Sequence, residues 1–111
     1  MGKVLRIGHR GAAGHVPENT LASVEKAISL GADLVEVDVQ RTSDGHLVII
    51  HDKRVDRTTN GAGLVAGMSL CALRELDAGA GQRIPTVEEL LRTAEGKVGL
   101  ILELKVNGLA E

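Results

Sequence analysis

The chain has no phenylalanine, tryptophan or tyrosine among its 111 residues. Aromatic side chains bury the most area per residue, so any core here must be assembled from Leu, Val, Ile and Ala. Their absence also removes the stacking platforms on which single-stranded nucleic acids are held. There is one cysteine, Cys71, so no internal disulfide can form. It reads as a small buried apolar residue on a short helix rather than as a nucleophile. The formal net charge is only −2, which provides no basic field for nucleic acid or anionic lipid. No apolar run approaches the roughly 20 residues of a membrane span. Lys3 and Arg6 are not followed by an apolar signal core, so export is not indicated and a cytoplasmic location is expected. Neither internal repeats nor low-complexity tracts occur. What remains is ordinary for a globular protein: 43% hydrophobic and 25% charged residues.

The most informative segment is Leu34-Val35-Glu36-Val37-Asp38-Val39-Gln40. It is rich in β-branched residues and alternates with period two, so it reads as a strand. Val35, Val37 and Val39 share one face, and Glu36, Asp38 and Gln40 share the other. Two carboxylates two residues apart on one face repel each other, and burying them requires a positive charge between them. A hard divalent cation meets that need because it takes carboxylate oxygens. The plainer alternative is the solvated face of an antiparallel sheet.

Val98–Lys105 is expected to form a second strand after a helix. Leu100, Leu102 and Leu104 lie on one face, with Ile101, Glu103 and Lys105 on the other. This repeats the first design, with an apolar outer face and charge near the C-terminal end. Catalytic groups of β/α barrels project from that end. Near the N-terminus, Val4–Gly8 reads as a short strand running into His9-Arg10-Gly11. An amphipathic helix follows over about Thr20–Leu30, with Leu21, Val24 and Ile28 at helical spacing. Pro17 and Asn19 signal its start and Gly31 its end. Strand, helix and strand make a βαβ unit, which places His9 and Asp38 at the same end of a parallel sheet.

Asp44-Gly45 is a hairpin signal between the carboxylate strand and Leu47–Ile50. A two-residue loop there would pair Ser43 with His46 and set Asp38 opposite His51. An isolated histidine is usually structural, but His9, Glu36, Asp38, His51 and Glu103 converge by separate routes. The histidines could themselves be zinc ligands. Three carboxylates favour an oxygen-seeking ion instead and leave the imidazoles for proton transfer.

Lys53 to Arg83 reads as mostly loop, with a turn at Asn60-Gly61 and several glycines. His46 borders the hairpin turn and is expected to be solvated, while His15 follows Gly14 in a loop and is a weaker candidate. Thr86-x-x-Glu89 is a capping box that opens a helix over Val87–Glu95, which Gly96 ends. That helix is expected to cover the outer face of the sheet.

The segments GHRGAAGHVPENTLAS, GADLVEVDVQRTSDGHLVIIHD, DRTTNGAG, LDAG, IPTVEELL and LILELK together resemble, in order, the N-terminal half of a bacterial glycerophosphodiester phosphodiesterase. The resemblance implies an α/β fold, a partial TIM (β/α) barrel of three barrel strands plus a β-hairpin arm. Residues 1–111 would be one incomplete domain, with 53–83 an excursion over the mouth of the site. It implies hydrolysis of glycerophosphodiesters to glycerol 3-phosphate and an alcohol. His9 and His51 match the family's general acid and base. Glu36, Asp38 and Glu103 match its ligands for Mg²⁺ or Ca²⁺. Arg10 and Lys105 match residues that bind the phosphate, and Glu18 matches a substrate-lining position. These roles fit a reaction in which charge builds on phosphoryl oxygens while one imidazole takes a proton and the other gives one.

The length departs from that pattern. A β/α barrel has eight strands in about 250 residues, and the matched site residues here stand within half a wall. The expectation is a fragment, or a half that associates with itself or with a complementary half. Two other readings stay open: an inactive half-barrel that binds metal or a partner, and a phospholipase D-type lyase on the same fold.

Overall fold

The structure, a computed structural model, describes residues 5–12, 14 and 16–104. Its elements, in chain order, are β1 (Ile7–His9), α1 (Leu21–Ser29), β2 (Leu34–Arg41), β3 (Leu47–Ile49), a 3-10 turn (Val65–Gly67), α2 (Leu70–Arg74), α3 (Val87–Ala94) and β4 (Gly99–Leu104). β2 is the axis of the sheet. Its first half pairs in parallel with β1 on one edge and β4 on the other: Leu34 faces Ile7 and Gly99, and Glu36 faces His9 and Ile101. Its second half pairs antiparallel with β3, Val39 facing Ile49. Because Val39 also pairs with Leu104 of β4, β1 and β3 must share the other edge. This is a partial β/α barrel with a hairpin arm, as expected.

The alternation in β2 sorts its two faces. Val35, Val37 and Val39 are fully buried beneath α1 and α3, against Val24, Ala27 and Leu90. Thr20 caps α1 by accepting from the Ser23 N–H. On the inner face of α1, Val24 is buried and Ile28 packs against the core, as the spacing suggests, and Ser23 and Ala27 are buried beside them. Small residues are needed there because the backbone of the β1 loop passes close by. A Cβ on Gly11 (φ +78°) would fall 2.2 Å from Ser23 Oγ. α3 opens with the expected capping box, Thr86 Oγ1 accepting from the Glu89 N–H and the Glu89 carboxylate accepting from the Thr86 N–H. Such a cap contributes about 1 kcal/mol.

Residues 53–83 contain only the 3-10 turn and α2 as regular elements, but they are not loosely held. Val55, Val65, Leu73, Ala78 and Ile84 form a second core with Val48 and Ile50 of the hairpin arm. Cys71 is exposed, contrary to expectation. α2 has five residues and buries only Leu73, so Cys71 falls on its outer side.

The hairpin also differs from the sequence reading. The Thr42 N–H donates to the His46 carbonyl, and Ser43, Asp44 and Gly45 form a three-residue loop. Gly45 takes φ +86°, the left-handed residue that closes such a loop with a bulge. The register therefore shifts by one, and the Ile50 N–H, not that of His51, faces Asp38 by donating to its carbonyl.

Both outer edges of the sheet are uncovered among the described residues. Leu5 and Ile7 beside β1 are 54% and 55% exposed, and Leu102 and Leu104 of β4 are 40% and 52% exposed. No described helix is long and apolar enough to cross a membrane.

Candidate active site

Parallel pairing of β2 with β4 puts Asp38 directly beside Glu103. With Glu36 on the same face, the three residues offer carboxylate oxygens within 4.8 Å of one another. They grade from inside to outside: Asp38 is 1% exposed, Glu36 is half-buried and Glu103 is exposed. Burial pushes the Glu36 carboxyl above its ordinary value, and the neighbouring Asp38 charge pushes the same way. A backbone N–H bond from Arg10 and the nearby His9 oppose this rise. A clustered, partly desolvated set of carboxylate oxygens fits a hard divalent cation.

The β1 loop closes over this cluster through two strained residues. Arg10 and Asn19 adopt φ +53° and +55°, a region costly for residues with a Cβ. The strain is offset by what it aligns. The Arg10 N–H donates to Glu36 Oε1 at 3.1 Å, and the Asn19 N–H donates to the Arg10 carbonyl at 2.9 Å. Asn19 Nδ2 donates to Asp38 Oδ2 at 3.0 Å, orienting the most buried carboxylate. Arg10 Nε lies 3.4 Å from that same oxygen but makes no hydrogen bond, although it is buried. Its Nη1 leans on Glu18 at 3.3 Å.

The two histidines occupy the β1/β3 edge of β2. His9 ends β1 opposite Glu36, its side chain 67% exposed and its Nε2 3.6 Å from Glu36 Oε1, beyond hydrogen-bond reach. His51 follows β3 where the chain turns out of the sheet. Gln40 holds that turn by donating its amide N–H groups to the carbonyls of His51 and Asp52. His51 Nδ1 lies 2.8 Å from Asp52 Oδ1.

Asp52 is in turn gripped by Arg57. Nε donates to Oδ2 at 2.8 Å and Nη2 to Oδ1 at 3.0 Å. The same guanidinium donates to both oxygens of Glu18 at 2.9 Å. These bonds hold the Asp52 carboxyl far below its ordinary value, Arg57 first and His51 second. Arg57 lowers Glu18 likewise, against its burial.

Glu36, Asp38, Glu103, His9, His51, Arg10 and Glu18 are thus brought to one end of the sheet. Lys105 and His15 lie outside the described residues. Asn19, Asp52 and Arg57 were not singled out by the sequence. The His-Asp dipeptide was a signal for Asp52. Asn19 was read only as a helix start, and Arg57 lies in the segment DRTTNGAG, whose aperiodic loop gave it no role.

The model of the glycerophosphoryl diester phosphodiesterase family matches residues 9–110. A glycerophosphodiester phosphodiesterase of Caldanaerobacter subterraneus subsp. tengcongensis is 50% identical over 111 residues, covering 93% of this chain and 46% of that protein. A crystal structure of a glycerophosphodiester phosphodiesterase from Agrobacterium tumefaciens superposes with a TM-score of 0.89 at 39% identity, covering 92% of this chain and 47% of the other. A phosphodiesterase of Oleispira antarctica, solved in complex with the product sn-glycerol-3-phosphate, gives 0.89 at 41% identity, covering 93% and 45%. The chain spans a little under half the length of these relatives.

Proposed function

We propose, since this chain belongs to the glycerophosphoryl diester phosphodiesterase family, that its site serves metal-dependent hydrolysis of glycerophosphodiesters to glycerol 3-phosphate and an alcohol. The observation that carries this reading is the in-register convergence of Glu36, Asp38 and Glu103 beside two histidines. The three carboxylates would hold a Mg²⁺ or Ca²⁺ ion. When bound, such an ion supplies positive charge to a phosphoryl oxygen and acidifies an attacking oxygen. His9 and His51 exchange protons with the nucleophile and the leaving alkoxide. Arg10 Nε, buried and without a hydrogen-bond partner, is a donor suited to a phosphoryl oxygen. Lys105 would bind the same group, and Glu18 would line the substrate's path while holding Arg10. On this reading residues 1–111 are the N-terminal part of one barrel domain, 53–83 flanks the mouth of the site, and the protein acts in the cytoplasm.

A second reading is favoured by the exposed edges at β1 and β4: a half-barrel that binds a cation or a partner without turnover. Unpaired parallel edges invite pairing, so the chain alone would self-associate or be poorly stable unless a complementary half is supplied. The full chain, with and without a relative's C-terminal half, is incubated with glycerophosphoethanolamine. Release of glycerol 3-phosphate that stops on chelation supports the diesterase. A cyclic phosphate as the final product would mean a lyase, and cation binding without product would mean the inactive half-barrel. Sedimentation at low concentration decides self-association.

A further inference from the structure

We propose that Arg57 is a positioning residue: through Asp52 it fixes which nitrogen of His51 carries the proton, with Glu18 as its second anchor. The inference rests on the diesterase reading for its role in turnover, but not for its geometry.

A guanidinium is planar and presents two usable edges. The Nε/Nη2 edge of Arg57 sits on Asp52, and its Nη1/Nη2 edge sits on Glu18, with all four contacts between 2.8 and 3.0 Å. A lysine, as a single point of charge, could not occupy both. The backbone that presents Arg57 is set by the fully buried Val55, whose N–H donates to Gly63 and whose carbonyl accepts from the Thr59 N–H and hydroxyl. Arg57 therefore joins the loop after β1 to the loop after β3 from a fixed base.

The consequence for His51 follows from donor counting. An ionised carboxylate only accepts hydrogen bonds. Asp52 Oδ1 accepts from Arg57 Nη2 and lies 2.8 Å from His51 Nδ1, so in the neutral ring Nδ1 must carry the hydrogen. Nε2 is then left as the single nitrogen able to take a proton and later return it. Without Arg57 the Asp52 carboxylate, 28% exposed, has nothing but His51 to orient it. The link continues through Glu18 to Arg10, so Arg57 also sets the His51 ring relative to the guanidinium proposed to bind phosphate.

Surface ion pairs usually contribute little to stability, and Arg57 is half exposed. A purely structural role would therefore leave the His51 ring unchanged. The test uses the full chain with ¹⁵N-labelled histidine. Long-range ¹H–¹⁵N correlations are recorded at a pH where the rings are neutral, with exposed His46 as internal reference. His51 Nδ1 is expected to be protonated in the parent. In Arg57→Ala it should shift toward the Nε2–H form that free imidazole side chains favour, and Arg57→Lys should not restore it. Asp52→Asn should abolish the preference. An Arg57→Ala protein that keeps Nδ1–H intact overturns the proposal. If that variant does not fold, Glu18→Gln gives the same readout: a partial loss supports the anchor, and an unchanged ring overturns it. In an assembly with turnover, Arg57→Ala should lower kcat about tenfold with KM nearly unchanged. A shifted tautomer in a protein that never turns over would keep Arg57 as a positioning residue and discard the diesterase reading.

Discussion

The His51 side chain is 33% exposed, and the Asp52 carboxylate beside it is clamped by Arg57; the His9 side chain is 67% exposed, and among the described residues its charged partner is Glu36 at 3.6 Å. What lies behind each ring explains the difference. Behind His51 stands the excursion, with its own apolar core reaching from Val48 to Ile84. Beside His9 and Arg10 there is an open groove of about 580 Å³, shared with Arg6, Ile7, Ala27 and Leu30. A side chain is held as firmly as the packing that supports it, and among the described residues that packing stands on only one side.

The largest effect expected is on turnover, measured in an assembly with activity. His9→Ala and His51→Ala should each lower kcat by roughly 10²–10⁴. The comparison is sharpened by adding imidazole. The open side should admit it and restore His9→Ala by about tenfold, limited by the lost effective concentration of a tethered group. His51→Ala, whose ring lies against a crevice formed with Glu18, Ile50 and Ala78, should respond much less. Equal rescue of both variants would show that the two walls do not differ in the way proposed.

Next in size is stability. Asp38→Ala removes a buried carboxylate from between Asn19 Nδ2 and Arg10 Nε, leaving the amide without its acceptor and the guanidinium without a counter-charge. The cost should be about 2–4 kcal/mol in urea unfolding, below the full value for a buried pair because Arg10 is partly exposed. Arg57→Ala, on a half-exposed network, should cost about 1 kcal/mol or less. A reversal of that order would place the structural weight in the ion pairs and not in the site.

A smaller effect is expected from the cation. A group whose proton affinity is raised on folding binds more protons folded than unfolded just above its ordinary value of 4.5. The Glu36 contribution to stability therefore falls as pH rises through its folded value. A divalent ion should reverse that loss, raising Tm more at neutral than at mildly acidic pH. Glu36→Gln should raise the cation-free Tm by about 2–4 °C and abolish the response to Mg²⁺ or Ca²⁺. A response to cations that survives this substitution would move the ion elsewhere.

Smallest is the acid limb on the clamped side. Asp52 and Glu18 have lowered values, so their stabilisation is complete above the unfolded values of 3.8 and 4.5 and is lost as pH falls through the folded ones. Removing Arg57 should flatten this loss in acid unfolding followed by circular dichroism. Solvent screening keeps the effect modest.

What the sequence made legible was whatever obeys a period. Alternation put Glu36 and Asp38 on one face and Glu103 in the same phase, and parallel pairing did the rest. The capping box marked the start of α3 to the residue. Loop geometry has no such rule. Asp44-Gly45 suggested two loop residues where there are three, because Gly45 closes the turn with a bulge and not as half of a tight pair. Arg57 lies in the segment DRTTNGAG, but its role could not be read there, since its partners lie 5 and 39 residues away and only the folded excursion brings them together. The inner face of α1 was read in part for a related reason: Val24 is buried and Ile28 packs on the core, but Ser23 and Ala27 are buried too because Gly11 and Gly8 let the backbone come close, which an apolar count does not register.

The turn at Ser43-Asp44-Gly45 acts as a spacer that sets where His51 comes out of the sheet. Ser43 faces solvent, so substitutions there should pass almost unnoticed, whereas Asp44 accepts from the Thr42 hydroxyl and the Leu70 N–H and Gly45 needs its left-handed backbone. Loss or gain of one residue is a different matter. It would move the arm by one pairing position, turn Val48 and Ile50 away from the second core, and carry His51 and Asp52 together off the Gln40 amide that holds their turn. At this turn the chain should tolerate changes of spelling far better than changes of length.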